Sequence, residues 1–233
     1  MAVRATSSAT LEDLGRSARR ASRVLARTSS ATRDEALLRA ADLIDQESDR
    51  ILAANAEDVT ALTGSGGEAT ALDRLRLDAS RVAGMAAGLR QVAALADPVG
   101  EVVDGWVRPN GLRISRVRVP LGVVGIIYEN RPNVTSDAAG LCLKSGYAVL
   151  LRGSSTAIRS NTVIASLLRS GLDKAGLPAE AVEIAGPDGA VFAKGLVRHA
   201  APVVAEWAGH RSGELPDDLD PEVVHRDDLV VLG

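Results

Sequence analysis

Aromatic side chains are scarce in this 233-residue chain: two Trp, two Tyr and one Phe, 2% of the whole. Proteins that grip single-stranded nucleic acid stack its bases on such rings, so that class starts at a disadvantage. Charge counts against it as well. The balance of 27 Lys and Arg against 30 Asp and Glu leaves a net −3, which supplies no basic field for phosphate backbones or anionic lipid. The one cysteine, Cys142, can form neither an internal disulfide nor a thiolate metal cluster, and it fits a reducing, cytoplasmic setting. Apolar runs all fall short of the roughly 18 residues that cross a bilayer. Neither nucleic acid nor membrane is therefore expected as a partner.

What is present describes an ordinary soluble protein, 46% hydrophobic and 24% charged. The Arg-, Ser- and Ala-rich start resembles a transit peptide superficially, but Glu12 and Asp13 arrive early and favour a ragged end leading into a helix. Residues 11–26 carry apolar and small residues at helical spacing. Thr32 and Glu35 fit a capping box, and the helix that follows sets Leu37, Ala40, Ala41, Ile44, Ile51 and Leu52 on one face. Asp42, Asp45, Glu47 and Asp49 fall elsewhere as a solvated face, with no metal expected. Gly64–Gly67 has the wrong spacing and no preceding strand for a phosphate loop, so it reads as a connector. A further helix runs from Asp78, with Val82, Met85, Ala86, Leu89 and Val92 inward, and stops before Asp97-Pro98. Residues 105–119 alternate around Asn110-Gly111, a hairpin signal.

The stretch 116–161 has the grammar of a βαβ unit. Gly122–Ile127 is an almost unbroken apolar run, as expected of a parallel strand covered on both faces. It ends in the polar loop Tyr128–Asn133. A second strand, Ala148–Leu151, ends in Arg152-Gly153-Ser154-Ser155. Ligands of open α/β sheets bind outside the carboxyl ends of strands, so both loops are candidate sites. Around Ser154 to Thr156 the hydroxyls can cap the next helix, whose free N–H groups and positive end attract anions. Arg152 adds a planar, permanent cation suited to a phosphate monoester. The same residues also read as a plain helix cap beside a surface arginine. In the first loop, Pro132 stiffens the chain and Thr135-Ser136-Asp137 can cap the next helix. An asparagine held at a strand end can donate to a developing oxyanion. Arg131 is either a ligand for carboxylate or phosphate, or structural.

Cys142 sits between Leu141 and Leu143 on the helix joining the two strands. A free cysteine so placed behaves as a small hydrophobe, with no cation nearby to stabilise a thiolate, and it is not expected to be a nucleophile. His199, His210 and His225 fit no metal spacing and read as surface or capping residues.

The words VPLGVVGIIYENRPNVT and GLCLKSGYAVLLRGSS resemble γ-glutamyl phosphate reductase (glutamate-5-semialdehyde dehydrogenase), a branch of the aldehyde dehydrogenase superfamily. LDRL, the GLRQVAAL run and DPVG add to a likeness covering about residues 11–184. It implies an α/β fold, with N-terminal helices and a Rossmann-like parallel sheet. It also implies an oxidoreductase of proline biosynthesis that reduces L-glutamate 5-phosphate with NADPH. By the same resemblance the Arg152, Gly153, Ser154, Ser155 loop holds the adenosine end of NADP(H), and Asn133 serves as the oxyanion donor. Asn130 is a weaker candidate, because family members often carry a small residue there. Arg131 is placed toward substrate.

The catalytic cysteine of that family lies in a separate downstream domain. Residues 1–185 therefore read as a truncated NADP-binding domain with an incomplete sheet, marginal in stability and inactive alone. Residues 186–233, with AVFAKGLVRH and EVVHRDDLVVL, resemble instead the PUA-domain end of glutamate 5-kinase, and strands are expected near 190–198 and 223–232. The whole then reads as a chimera of two consecutive enzymes, with glutamate 5-kinase or self-association as expected partners. A non-catalytic cofactor-binding or subunit-interaction remnant is the alternative.

Overall fold

The computed structural model describes residues 11–184, 193–197 and 224–231. The chain divides into two units, Met1–Ala190 and Val191–Gly233. The second contributes β6 (Ala193–Val197) and β7 (Val224–Val231), an antiparallel pair, at the two places where strands are expected. His199 and His210 lie outside the described residues.

The first unit begins with five helices. α1 is Leu11–Leu25, α2 Ser30–Gln46, α3 Ser48–Gly64, α4 Ala69–Leu75 and α5 Ala79–Ala94. Two sequence expectations are corrected in this stretch. The cap of α2 is Ser29, not Thr32: Ser29 is extended and its Oγ accepts from the N–H of Thr32 at 3.2 Å, so Thr32 lies inside the first turn. The face from Leu37 to Leu52 is also split over two helices. Glu47, at φ −102° and ψ 21°, breaks the run, and Ile44 and Ile51 reach the same core from different axes. The start of α5 does match expectation, with Asp78 Oδ1 accepting from the N–H of Arg81 at 2.7 Å.

After α5 come β1 (Val102–Val107) and β2 (Arg113–Val117), paired antiparallel. The turn between them closes through Gly111 N–H to the Arg108 carbonyl at 2.9 Å, with Gly111 at φ +83°. A three-residue hairpin loop needs such a left-handed residue. Every residue of β1 is exposed, Val102 and Trp106 included.

The parallel sheet holds β3 (Val123–Ile127), β4 (Ala148–Arg152) and β5 (Val182–Ile184) in that order. α6 (Asn133–Lys144) crosses from β3 to β4, and α7 (Ile158–Lys174) crosses from β4 to β5. β4 is the covered strand, with Ala148 to Leu151 all buried. The expectation that β3 is covered on both faces fails: it is half-exposed along its length, and Ile127 is 65% exposed. Among the described strands β3 is a sheet edge, and an edge strand has a partner on one side only. The core lies where α2 packs on α5 and α7, α5 packs on α6, and these layers meet β4. A cation is buried in it: Arg33, 1% exposed, gives Nη2 to Asp97 at 2.6 Å.

Candidate functional site

Two loops leave the carboxyl ends of β3 and β4 side by side, and a buried polar chain joins them. The Tyr128 hydroxyl donates to Thr135 Oγ1 at 2.8 Å, and Thr135 donates on to Asn161 Oδ1 at 3.1 Å. Thr135 is therefore not the cap of α6, contrary to the sequence reading. The helix begins two residues earlier, at Asn133, and Thr135 faces inward, 0% exposed. Asn161, on the first turns of α7, is 1% exposed, and its Nδ2 has no hydrogen-bond partner among the described residues. Removing the phenol from water pushes its pKa up, with the Thr135 hydrogen bond opposing. Nothing at the level of sequence spacing marks Thr135 and Asn161 as partners, since they are 26 residues apart.

The β4 loop contains Arg152, Gly153, Ser154 and Ser155. Ser154 caps a single 3-10 turn, Ser155–Ala157, through Oγ to the N–H of Thr156 at 3.3 Å. Gly153 has a steric reason to be glycine. A Cβ there would lie 2.3 Å from Asn161 Nδ2 and 2.9 Å from the Tyr128 ring, so this backbone is packed against the polar chain behind it. Arg152 is lightly held: its one side-chain hydrogen bond among the described residues is a 3.5 Å approach to the Gly153 carbonyl.

The expectation that the following helix offers free N–H groups to an anion is corrected. Asp58 of α3, 1% exposed, already occupies that position. Its Oδ2 accepts from the N–H and the hydroxyl of Ser160, both at 2.8 Å, and its Oδ1 accepts from Arg159 N–H at 3.4 Å. An internal carboxylate satisfies the orphan amides and the positive helix end. An anion bound at this loop would then rely on the loop's own donors, Arg152 and the serine hydroxyls among them, and not on those two amides.

The β3 loop opens onto a cleft of about 430 Å³ lined by Asp73, Arg74, Leu77, Arg81, Gly84, Met85, Arg131, Asn133 and Asp137. Arg131 and Asn133, picked out separately in the sequence, thus share one cavity with residues of α4 and α5. Asn130 points elsewhere and ties the loop to α4, donating Nδ2 to the Ala71 carbonyl at 2.8 Å. Arg74 pairs with Glu129 at 2.8 Å. Arg81 is fixed by the carbonyls of Asp73 and Arg76 at 2.7 and 2.6 Å. Asn133 Nδ2 donates to Asp137 Oδ2 at 3.1 Å. That contact sets the amide's orientation, because a carboxylate only accepts, and it leaves the second N–H of Nδ2 for another acceptor. Desolvation raises the Asp137 carboxyl above the ordinary carboxylate range, partly offset by this hydrogen bond. The sequence reading missed Asp73, Arg81 and Asp137 as cleft residues; only Asp137 lies near the loop in the chain.

Cys142 is buried at 7% exposure on α6, and burial pushes its thiol up to about 11. It is neutral at physiological pH and does not line the cleft.

The aldehyde dehydrogenase family model matches residues 1–210, past the boundary at 185 read from the sequence. Among solved structures, the γ-glutamyl phosphate reductase of Thermotoga maritima is 40% identical, with a TM-score of 0.75 over 78% of this chain and 44% of that one. The reductase of the same name from Saccharomyces cerevisiae is 26% identical, with a TM-score of 0.71 over 77% and 47%. A putative aldehyde dehydrogenase of Bacillus subtilis, 21% identical with a TM-score of 0.55 over 75% and 35%, shares the fold. The chain thus spans less than half the length of the two reductases it matches.

Proposed function

The chain belongs to the aldehyde dehydrogenase family, and from that premise we propose that it forms the cofactor-binding part of a γ-glutamyl phosphate reductase. The reaction is the NADPH-dependent conversion of L-glutamate 5-phosphate to L-glutamate 5-semialdehyde and phosphate, in the cytoplasm. The observation that carries this reading is the 40% identity to the Thermotoga enzyme along 78% of the chain.

The residues at the strand ends fit the cofactor in charge and donor type. Arg152 is a cation whose guanidinium makes a single long hydrogen bond among the described residues, and Ser154 and Ser155 follow it in the loop. They would hold the phosphate-bearing adenosine end of NADPH, with Arg152 selecting the extra 2′-phosphate. When bound, NADPH supplies the hydride. In the cleft, Asn133 presents its free N–H to the oxygen that gains charge as the acyl carbon is attacked. Arg131 neutralises an anionic group of the substrate. The attacking thiolate of this chemistry is not Cys142, which is buried, protonated and outside the cleft. The 233 residues hold no second cysteine, so by themselves they bind cofactor without turning substrate over.

Thermal unfolding with and without NADPH tests the reading. A ligand that binds only the folded state, at a hundred times its Kd, adds about 2.7 kcal/mol of stability. A cooperative melt is expected to move up with NADPH, less with NADH, and hardly at all after Arg152→Gln. A melt indifferent to NADPH would sink the proposal.

A further inference from the structure

Five charged residues line the β3 cleft, and they divide sharply by how they are satisfied. Asp73, Arg74 and Arg81 are engaged with protein partners: Arg74 with Glu129, and Arg81 with Asp73 and two carbonyls. Arg131 makes no side-chain hydrogen bond or ion pair among the described residues. Asp137 makes none to a cation: its Oδ2 accepts from Asn133, and its Oδ1 is left over. The two groups carry opposite charges and share a cavity, yet they do not pair with each other. Beside Asp137 Oδ1 stands Gly88 of α5. A Cβ at that position would sit 3.7 Å from the oxygen, so no α5 side chain covers Oδ1 there, on the flank where Asp137 also borders a second cavity with Gly88.

Opposite charges that line one cleft without pairing match a ligand that carries both signs. An α-amino acid head group does so, with a carboxylate and an ammonium on one carbon. We propose that Asp137 is a specificity residue that receives the substrate's α-ammonium group at Oδ1 while Arg131 receives its α-carboxylate. This rests on the reading above that the cleft takes a glutamyl substrate, and it adds the group that distinguishes an amino acid from a plain dicarboxylic acid. Asn133, bonded to the other oxygen of the same carboxylate, is then tied to the head group. The residue that selects the amino acid also orients the oxyanion donor.

Calorimetric titration of the full 233-residue chain with L-glutamate and with glutarate, which lacks the ammonium, provides the test. L-Glutamate is expected to bind about tenfold more tightly than glutarate, as one charge-assisted hydrogen bond would give. Asp137→Asn keeps an acceptor for Asn133 and removes the charge. It is expected to erase that preference while leaving glutarate unchanged, and Arg131→Gln to weaken both ligands. Equal affinity of the unaltered chain for the two acids, no binding of either at millimolar concentration, or an Asp137→Asn variant that loses both alike would overturn the proposal. The wild-type ratio decides the matter even if a variant fails to fold. The NADPH melt separates the two ideas: a shift with NADPH and no preference for L-glutamate removes the head-group assignment alone.

Discussion

Glu183 shows how little a residue's type foretells about its chemistry. It lies on β5 at 5% exposure, and burial pushes its carboxyl up to about 7, although Arg169 Nη1 stands 3.5 Å away and opposes the shift. The unfolded chain releases this proton near 4.5, the folded chain near 7. Between those values the native state binds the extra proton, so this contribution to stability is present below about 4.5 and is lost as pH rises through 7. Melting temperatures followed from pH 4.5 to 7.5 are expected to fall for the unaltered chain relative to Glu183→Gln. Parallel profiles for the two would contradict it. At this scale the sequence was readable where a side chain's own nature decides its fate. Cys142, between two leucines, was legible as packing. Asp58 and Asn161 were not, because their roles come from partners 102 and 26 residues away.

Among the elements, α2 and α7 approach closely at Gly171. A Cβ at Gly171 would lie 2.8 Å from both Cβ and N of Ala40, so the two helices touch nearly backbone to backbone. Gly to Ala in a helix interior ordinarily stabilises by roughly 0.5–1 kcal/mol. Here the added methyl must push two axes apart, and overpacking costs about 1–3 kcal/mol. Gly171→Ala is expected to lower the denaturation midpoint in urea, whereas a rise would show that α2 yields freely. Helix existence was legible from periodicity: α5 follows the apolar spacing of Val82, Met85 and Leu89. Helix division was not. The split at Glu47 leaves the apolar spacing intact, so periodicity alone cannot report it.

For the whole first unit, stability is distributed unevenly. β4 is buried along its length, while the β1–β2 hairpin is exposed on both faces and packs extensively on no other described element. A two-stranded hairpin alone is marginal in water. Amide exchange is expected to be fast throughout residues 102–117 and slowest at Val149 to Leu151; comparable protection in both would mean the hairpin is covered in solution. The pairing of β3 with β4 through the α6 crossover was legible from the alternation of apolar runs with polar strand ends. The cleft was legible only on its β3 side. The wall from α4 and α5 is built by chain folding, and no spacing in the sequence brings Asp73 or Arg81 to Asn133.

Asp58 has one more consequence, in evolutionary terms. The anion that the start of α7 demands is part of the chain itself, so that helix depends on no ligand for its integrity. On the proposed reading, substitutions at Arg152 or Ser155 then alter the nucleotide contacts without touching the Asp58 cap of α7. If the β4 loop holds the coenzyme as proposed, coenzyme choice and the integrity of α7 are separately heritable, and a lineage could exchange one while keeping the other.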